Sequence, residues 1–157
     1  MRNNRISRRG MLTGAAALAG LSALPARAAG TAIHVLKDPN CGCCGAWMKI
    51  LQEAGFTVTS EASAGTALYR EKAARGVPAE MASCHTADVE GYVIEGHVPV
   101  ADIRRLLTER PDAVGLAVPG MPYGSPGMGP EDAGEAYDVF LLLRDGTAEV
   151  FTSYQAA

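Results

Sequence analysis

At 157 residues, 20% of them charged and 48% apolar, the chain has the length of a single domain and enough apolar material for one core. Its net charge of −3 lacks the basic excess that nucleic-acid binding needs, and a core of this size leaves the four cysteines free for chemistry. No Ser-His-Asp order, paired-carboxylate arrangement, phosphate-binding glycine loop or nucleotide fingerprint stands out, so hydrolase and kinase readings have no support.

The first segment reads as a leader. Arg2, Arg5, Arg8 and Arg9 form a basic start, Met11 to Leu24 is apolar, and Ala26-Arg27-Ala28 has the small-x-small pattern of a signal-peptidase site. The apolar run is too short for a permanent membrane span, which predicts a cleaved signal peptide over 1–28 and no anchor in the mature form. Ser7-Arg8-Arg9-Gly10-Met11-Leu12 resembles a twin-arginine signal with Met11 in the usual Phe position, so a periplasmic destination is expected. No cysteine lies near the cleavage point, against a lipoprotein. Cleavage after Ala28 leaves 129 residues, 29–157, with nine basic residues against seventeen acids, a net charge of −8. Such a domain repels phosphate backbones, and nucleic acid is not an expected partner.

Thr31 to Leu36 predicts a first strand, and Trp47, Ile50, Leu51 and Ala54 give a helix starting near Cys43 or Cys44 and ending at Gly55. Phe56 to Ser60 alternates as a second strand. Ala64 to Arg75 follows as a helix with Leu68 and Ala73 available for its inner face, closed by Gly76-Val77-Pro78. Thr86 to Glu90 and Tyr92 to Glu95 read as a hairpin around Gly91. Pro99 opens a last helix, Val100 to Arg110, with Ile103, Leu106 and Leu107 inward. A loop rich in Gly, Pro and Met runs from Pro119 to Pro130, and two strands, Tyr137 to Leu143 and Ala148 to Tyr154, close the chain. The order β-α-β-α-β-β-α predicts an α/β thioredoxin-like fold with a C-terminal β extension. In such a fold the turn after strand one lies beside the turn that enters strand three.

Those two turns carry the cysteines. Pro39-Asn40-Cys41-Gly42-Cys43-Cys44-Gly45 places three thiols within four positions at a helix N-terminus, where the dipole and free N–H groups favour thiolate. Cys84-His85 stands at the second turn. A structural disulfide framework is the ordinary alternative in an exported protein. Against it, a Cys43–Cys44 bridge needs unusual geometry and a Cys41–Cys44 bridge closes too small a loop to constrain the unfolded chain. The reading preferred is a soft metal site of Cys41, Cys43, Cys44 and Cys84 with His85 beside them. Crowded thiolates that can each bridge two ions suit Cu(I), with room for more than one ion. Zinc comes second, because Cys-x-Cys-Cys is not a zinc knuckle pattern. Cys41-Gly42-Cys43-Cys44 also contains Cys-x-x-Cys, so a thiol–disulfide oxidoreductase is the alternative function.

Three further residues have two open readings. His97 sits where a helix cap would go and could equally be a ligand. Met121 and Met128, on the Gly/Pro loop, could pack the loop down or serve as weak thioether ligands. His34, alternating within strand one, reads as packed or exposed, and Trp47 and Tyr92 as packing residues.

With these residues in view, the sequence resembles the DUF411 family of predicted periplasmic metal-binding proteins, which includes a copper-resistance protein. The resemblance rests on Lys37-Asp38-Pro39-Asn40-Cys41-Gly42-Cys43-Cys44, Ser83-Cys84-His85-Thr86, Gly96-His97-Val98-Pro99, and Gly120-Met121-Pro122 through Ser125-Pro126-Gly127-Met128. These run in family order over nearly all of the mature chain, with Pro130 to Glu135 as a variable insertion. The resemblance implies a thioredoxin-like fold and a copper site on Cys41, Cys43, Cys44 and Cys84. It supports His85 nearby and gives the methionine loop more weight. The partners expected are copper ions and a periplasmic copper exporter or chaperone.

Overall fold

Ile33 and Val35 alternate with Ala32 and His34, and a computed structural model, describing residues 30–130 and 134–156, buries the first pair while the second reaches water. This run is strand β1 (Ala32–Lys37). Helix α1 (Gly42–Glu53), β2 (Thr57–Ala62), α2 (Gly65–Ala74), a 3-10 turn (Ala79–Met81), β3 (His85–Val89) and β4 (Tyr92–Glu95) follow. The chain continues through α3 (Val100–Glu109), β5 (Gly115–Ala117), β6 (Tyr137–Leu142) and β7 (Ala148–Tyr154). Each predicted element between these bounds is present with ends shifted by at most two residues, and β5 is an addition to the expected set. The leader expected over 1–28 lies outside the described residues, as do 131–133 of the expected insertion.

Among the described residues, three helices and one seven-stranded sheet make a mixed α/β architecture, with strand order β2-β1-β3-β4-β5-β6-β7. The β1/β2 and β4/β5 pairs are parallel and the remaining neighbours antiparallel. Period-two alternation divides the strands between two apolar clusters. Ile33, Val35, Ala87, Ile94, Leu116 and Leu141 meet Trp47 and Leu51 of α1 and Ile103 and Leu106 of α3. Val93, Ala117 and Leu142, from alternate positions, meet Val77 beyond α2. No helix of the described residues is long and apolar enough to cross a membrane.

Helix α2 departs from the expected inner face. Lys72 is buried and Ala73 exposed, because Lys72 stands four residues from Leu68 and shares its stripe, whereas Ala73 is turned away. The antiparallel β1/β3 register sets Lys37 against His85. The chain leaving β1 toward Cys41 therefore starts beside the chain entering β3 through Cys84, so both cysteine turns lie at one end of the sheet.

Candidate metal centre

The turn after β1 is built before its thiols are placed. Asp38 accepts the Asn40 amide on Oδ1 at 2.8 Å and the Cys41 amide on its carbonyl at 3.0 Å. Cys41 is then the N-cap of α1, its sulfur 3.3 Å from the Cys44 amide. Three sulfurs thus leave the first turn of one helix. Cys44 is buried, whereas Cys41 and Cys43 are half-buried.

The two turns meet as expected. Cys44 Sγ lies 3.6 Å from Cys84 Sγ, and Cys41 Sγ lies 3.5 Å from Cys43 Sγ. One ligand atom from each of Cys41, Cys43, Cys44 and Cys84 falls within 4.8 Å of the others. A second, overlapping group within the same limit joins Cys44 and Cys84 to His85 and His97. Cys44 and Cys84 are shared by both. Cys41 and Cys44 are joined as a disulfide, and Cys43 and Cys84 are free thiols. The bridge that the sequence argument weighed against does form, because the N-cap and third residue of a helix turn face each other across that turn. It constrains little of the chain, so its consequence is chemical: in this state Cys41 and Cys44 cannot act as thiolate ligands.

His85 and His97 are both fully buried. His97 Nδ1 lies 2.7 Å from the Pro126 carbonyl, which only accepts, so Nδ1 carries the hydrogen and Nε2 turns its lone pair to Cys84 Sγ at 3.2 Å. The helix-cap reading of His97 is therefore corrected. Helix α3 is capped by Pro99 without a side-chain bond, and the imidazole is drawn inward by the carbonyl of the loop. His85 Nδ1 lies 3.3 Å from Cys84 Sγ, and its ring packs on Trp47 with centroids 4.3 Å apart. Burial holds the pKa of His85 well below the usual histidine range, with the His97 and Lys72 charges adding to the effect. Burial also lowers His97, against the opposing pull of the Pro126 carbonyl. Neutral imidazoles are what metal ligation requires. Cys84 is pushed up to about 12, first by burial and then by the Cys43 charge, so its thiol keeps its proton until a cation displaces it. Thiols and neutral imidazoles without a carboxylate among them form a donor set that fits a soft cation.

The Gly/Pro loop closes over the site. Gly96 has φ +73°, and a Cβ there would fall 2.5 Å from the Val118 carbonyl and 2.6 Å from Ser83 Oγ, so only glycine lets the segment before His97 pass. A Cβ on Gly127 would fall 2.8 Å from the Trp47 amide, which brings the loop onto α1 and the Pro126 carbonyl onto His97. Met121 is half exposed with its sulfur 3.9 Å from Cys43 Sγ. Met128 lies deeper in the loop, its amide bonded to the Ser125 carbonyl and its carbonyl to the Gly124 amide. His34 bonds Thr59 of β2 through Nδ1, which agrees with its expected role outside the site. Cys41, Cys43, Cys84 and Met121 border an open cleft of about 500 Å³.

A family model described as "Protein of unknown function, DUF411" matches residues 81–128, the stretch from the 3-10 turn through Met128. Two solved structures are similar over most of the chain. One, titled copper resistance protein copG form 1, is 49% identical with a TM-score of 0.75, covering 81% of this chain and 99% of that one. The other, copper resistance protein copG form 2, is 50% identical with a TM-score of 0.74, covering 80% of this chain and 98% of that one. The chain belongs to the DUF411 family, as a CopG-type member. No curated protein matches it. As a DUF411 member it carries a cysteine cluster that straddles the start of the matched segment, since Cys84 lies inside residues 81–128 and the other three cysteines precede it.

Sequence reasoning missed several groups that shape this centre. Trp47 was expected only to pack, yet it forms the wall against His85 and donates from Nε1 to the Val98 carbonyl at 2.9 Å. The Pro126 carbonyl carries no side-chain signature at all. Lys72 and Glu95 form a buried pair beneath Ser83 and His85. A signal for them exists: Lys72 interrupts the inner stripe of α2, and Glu95 ends the apolar run Tyr92-Val93-Ile94.

Proposed function

We propose that this protein is an exported, periplasmic copper-binding protein that sequesters Cu(I) in copper handling and resistance. The observation carrying the proposal is the convergence of four cysteine sulfurs within 4.8 Å, in a chain about half identical to proteins titled copper resistance protein. Cys41, Cys43, Cys44 and Cys84 would hold the cargo, with His85 and His97 completing the inner side and Met121 offering a thioether at the mouth. Met128 has a weaker claim, as a member of the same loop. Crowded sulfur donors favour copper over zinc and leave room for more than one ion. The parallel β1/β2 pair flanked by antiparallel β3 and β4 supports a thioredoxin-like reading of the fold. The twin-arginine-type leader over 1–28 supports export of a folded chain, and a periplasmic exporter or chaperone would exchange copper with it.

Binding at Cys41 and Cys44 requires their bridge to be reduced, a step that takes up two electrons and two protons from a dithiol reductant. In the opposite direction, oxidation of the two thiols to the disulfide releases two protons and two electrons, enough to turn two Cu(II) into two Cu(I). Anaerobic Cu(I) titration of the reduced protein against a competing chelator tests the reading. Wild-type protein is expected to compete strongly and the Cys41/Cys43/Cys44→Ser variant weakly. Equal affinities reject the proposal.

The Cys41–Cys44 disulfide at a helix N-terminus favours a second reading, a thiol–disulfide oxidoreductase. Cys43 weighs against it, because a third sulfur 3.5 Å from Cys41 invites wrong pairing in a two-thiol exchanger. Disulfide-reductase activity of the metal-free protein that disappears in Cys41→Ser would favour this reading.

A further inference from the structure

We infer that Lys72 and Glu95 are positioning residues of the metal centre, clamping the backbone on both sides of Cys84 so that its sulfur is held ready for a soft cation. The inference rests on Cys84 being a ligand, as proposed above. Lys72 Nζ donates to the Ser83 carbonyl at 3.1 Å, to the His85 carbonyl at 2.9 Å and to Glu95 Oε1. These three acceptors match the three donors of an ammonium group. Glu95 Oε1 in turn accepts the Ser83 amide at 2.6 Å. The residue before Cys84 is thus gripped through its N–H and its C=O, and the residue after through its C=O.

Geometry explains why two charges are needed. Side-chain exposure is 3% at Lys72 and 0% at Glu95, and apolar replacements of a buried pair are commonly no less stable, so stability alone gives little reason for this one. Apolar side chains, however, could not satisfy the amide and carbonyls around Cys84. His85 and Glu95 come from different strands with alternating faces, Ala87 with His85 toward α1 and Val93 with Glu95 toward α2. The clamp therefore works from the face opposite the imidazoles and leaves their access to the ion clear. Lys72 also borders the cleft onto which Cys41, Cys43 and Cys84 open.

The test uses the Lys72→Met/Glu95→Leu double variant, which removes both charges together and so avoids a lone buried ion. Folding is followed by circular dichroism, Cu(I) affinity by chelator competition, and Cys84 accessibility by alkylation of the reduced, metal-free protein, read by peptide mass. The folded variant is expected to bind Cu(I) about 10- to 100-fold more weakly, the range for partners that orient a metal ligand, and to alkylate faster at Cys84. A folded variant with wild-type affinity and wild-type alkylation overturns the inference. Should the variant not fold, hydrogen exchange of the wild-type Ser83 amide decides. It is expected to be equally protected in the metal-free and Cu(I)-loaded forms, and unprotected exchange without metal overturns the clamp. If wild-type protein fails to bind Cu(I), the proposed function falls, while alkylation and exchange still report on the clamp.

Discussion

The two halves of the centre are built on different terms. The α1 half offers Cys41, Cys43 and Cys44 from a helix start, with two of its sulfurs half-buried at a cleft and two joined as a disulfide. The β3 half offers Cys84 with His85 and His97, held by buried bonds to the Pro126 carbonyl and by Lys72 and Glu95. The first half can change its covalent state without disturbing the fold, because its bridge closes a loop inside one helical turn. The bonds that hold the second half go to Pro126, Lys72 and Glu95, none of which belongs to α1. Under the copper reading proposed above, this division would leave one side prepared while the other changes with redox state.

Three measurements break or sharpen that comparison. The largest effect is expected from Cys84→Ser, since Cys84 is the one free thiol among the two cysteines common to both donor groups. Cu(I) affinity of the reduced protein should fall by roughly two to three orders of magnitude, scaling from about 10–16 kcal/mol for a structural zinc site spread over four ligands. The Cys41–Cys44 disulfide should re-form at the wild-type rate, measured by free-thiol count. An equal loss of both properties would mean that the halves are not independent.

A smaller effect concerns pH. His85 and His97 have lowered pKa values in the folded protein, whereas their unfolded counterparts titrate near the ordinary histidine value of 6.5. As pH falls below 6.5 the unfolded chain takes up protons that the native histidines refuse, so stability declines toward acid and is fully present above that value. The slope is at most about 1.4 kcal/mol per pH unit for each histidine. Urea melts of the metal-free protein between pH 5 and 7.5, values set by this window, check the sign. Flat stability across that range would show that the imidazoles are not held neutral. Smallest of all, Met121→Leu should leave equilibrium Cu(I) affinity within about fivefold, taking about a kcal/mol as the scale of a soft thioether contact. Copper uptake from a competing chelator, followed by stopped flow, should slow by more than the affinity changes.

Much of this centre was legible because the relevant signals are local. The strand and helix periods around Cys41 placed three thiols at a helix start, and the element order placed Cys84-His85 at a facing turn. The β1/β3 register bears out that proximity. The sequence leaves His97 open between cap and ligand because a backbone carbonyl, Pro126, settles its orientation, and carbonyls look alike in every sequence. The sequence makes Ala73 available for the inner face of α2, whereas Lys72, of a type rarely buried, is held inside by a partner 23 residues away on strand β4. Strand β5 leaves no signal in the sequence because three residues, Gly115–Ala117, are too few to show a period.

The sequence by itself determined which chemical groups were available and the order of elements that carry them, because hydrophobic period, turn residues and thiol spacing are properties of neighbours along the chain. Only the tertiary structure decided that Cys84 sits between Cys44 and His97, that both imidazoles are dry, and that a lysine and a glutamate grip the turn from beneath. Those outcomes depend on atoms distant in sequence being packed out of water, where a hydrogen bond or a charge has to find its partner within the protein.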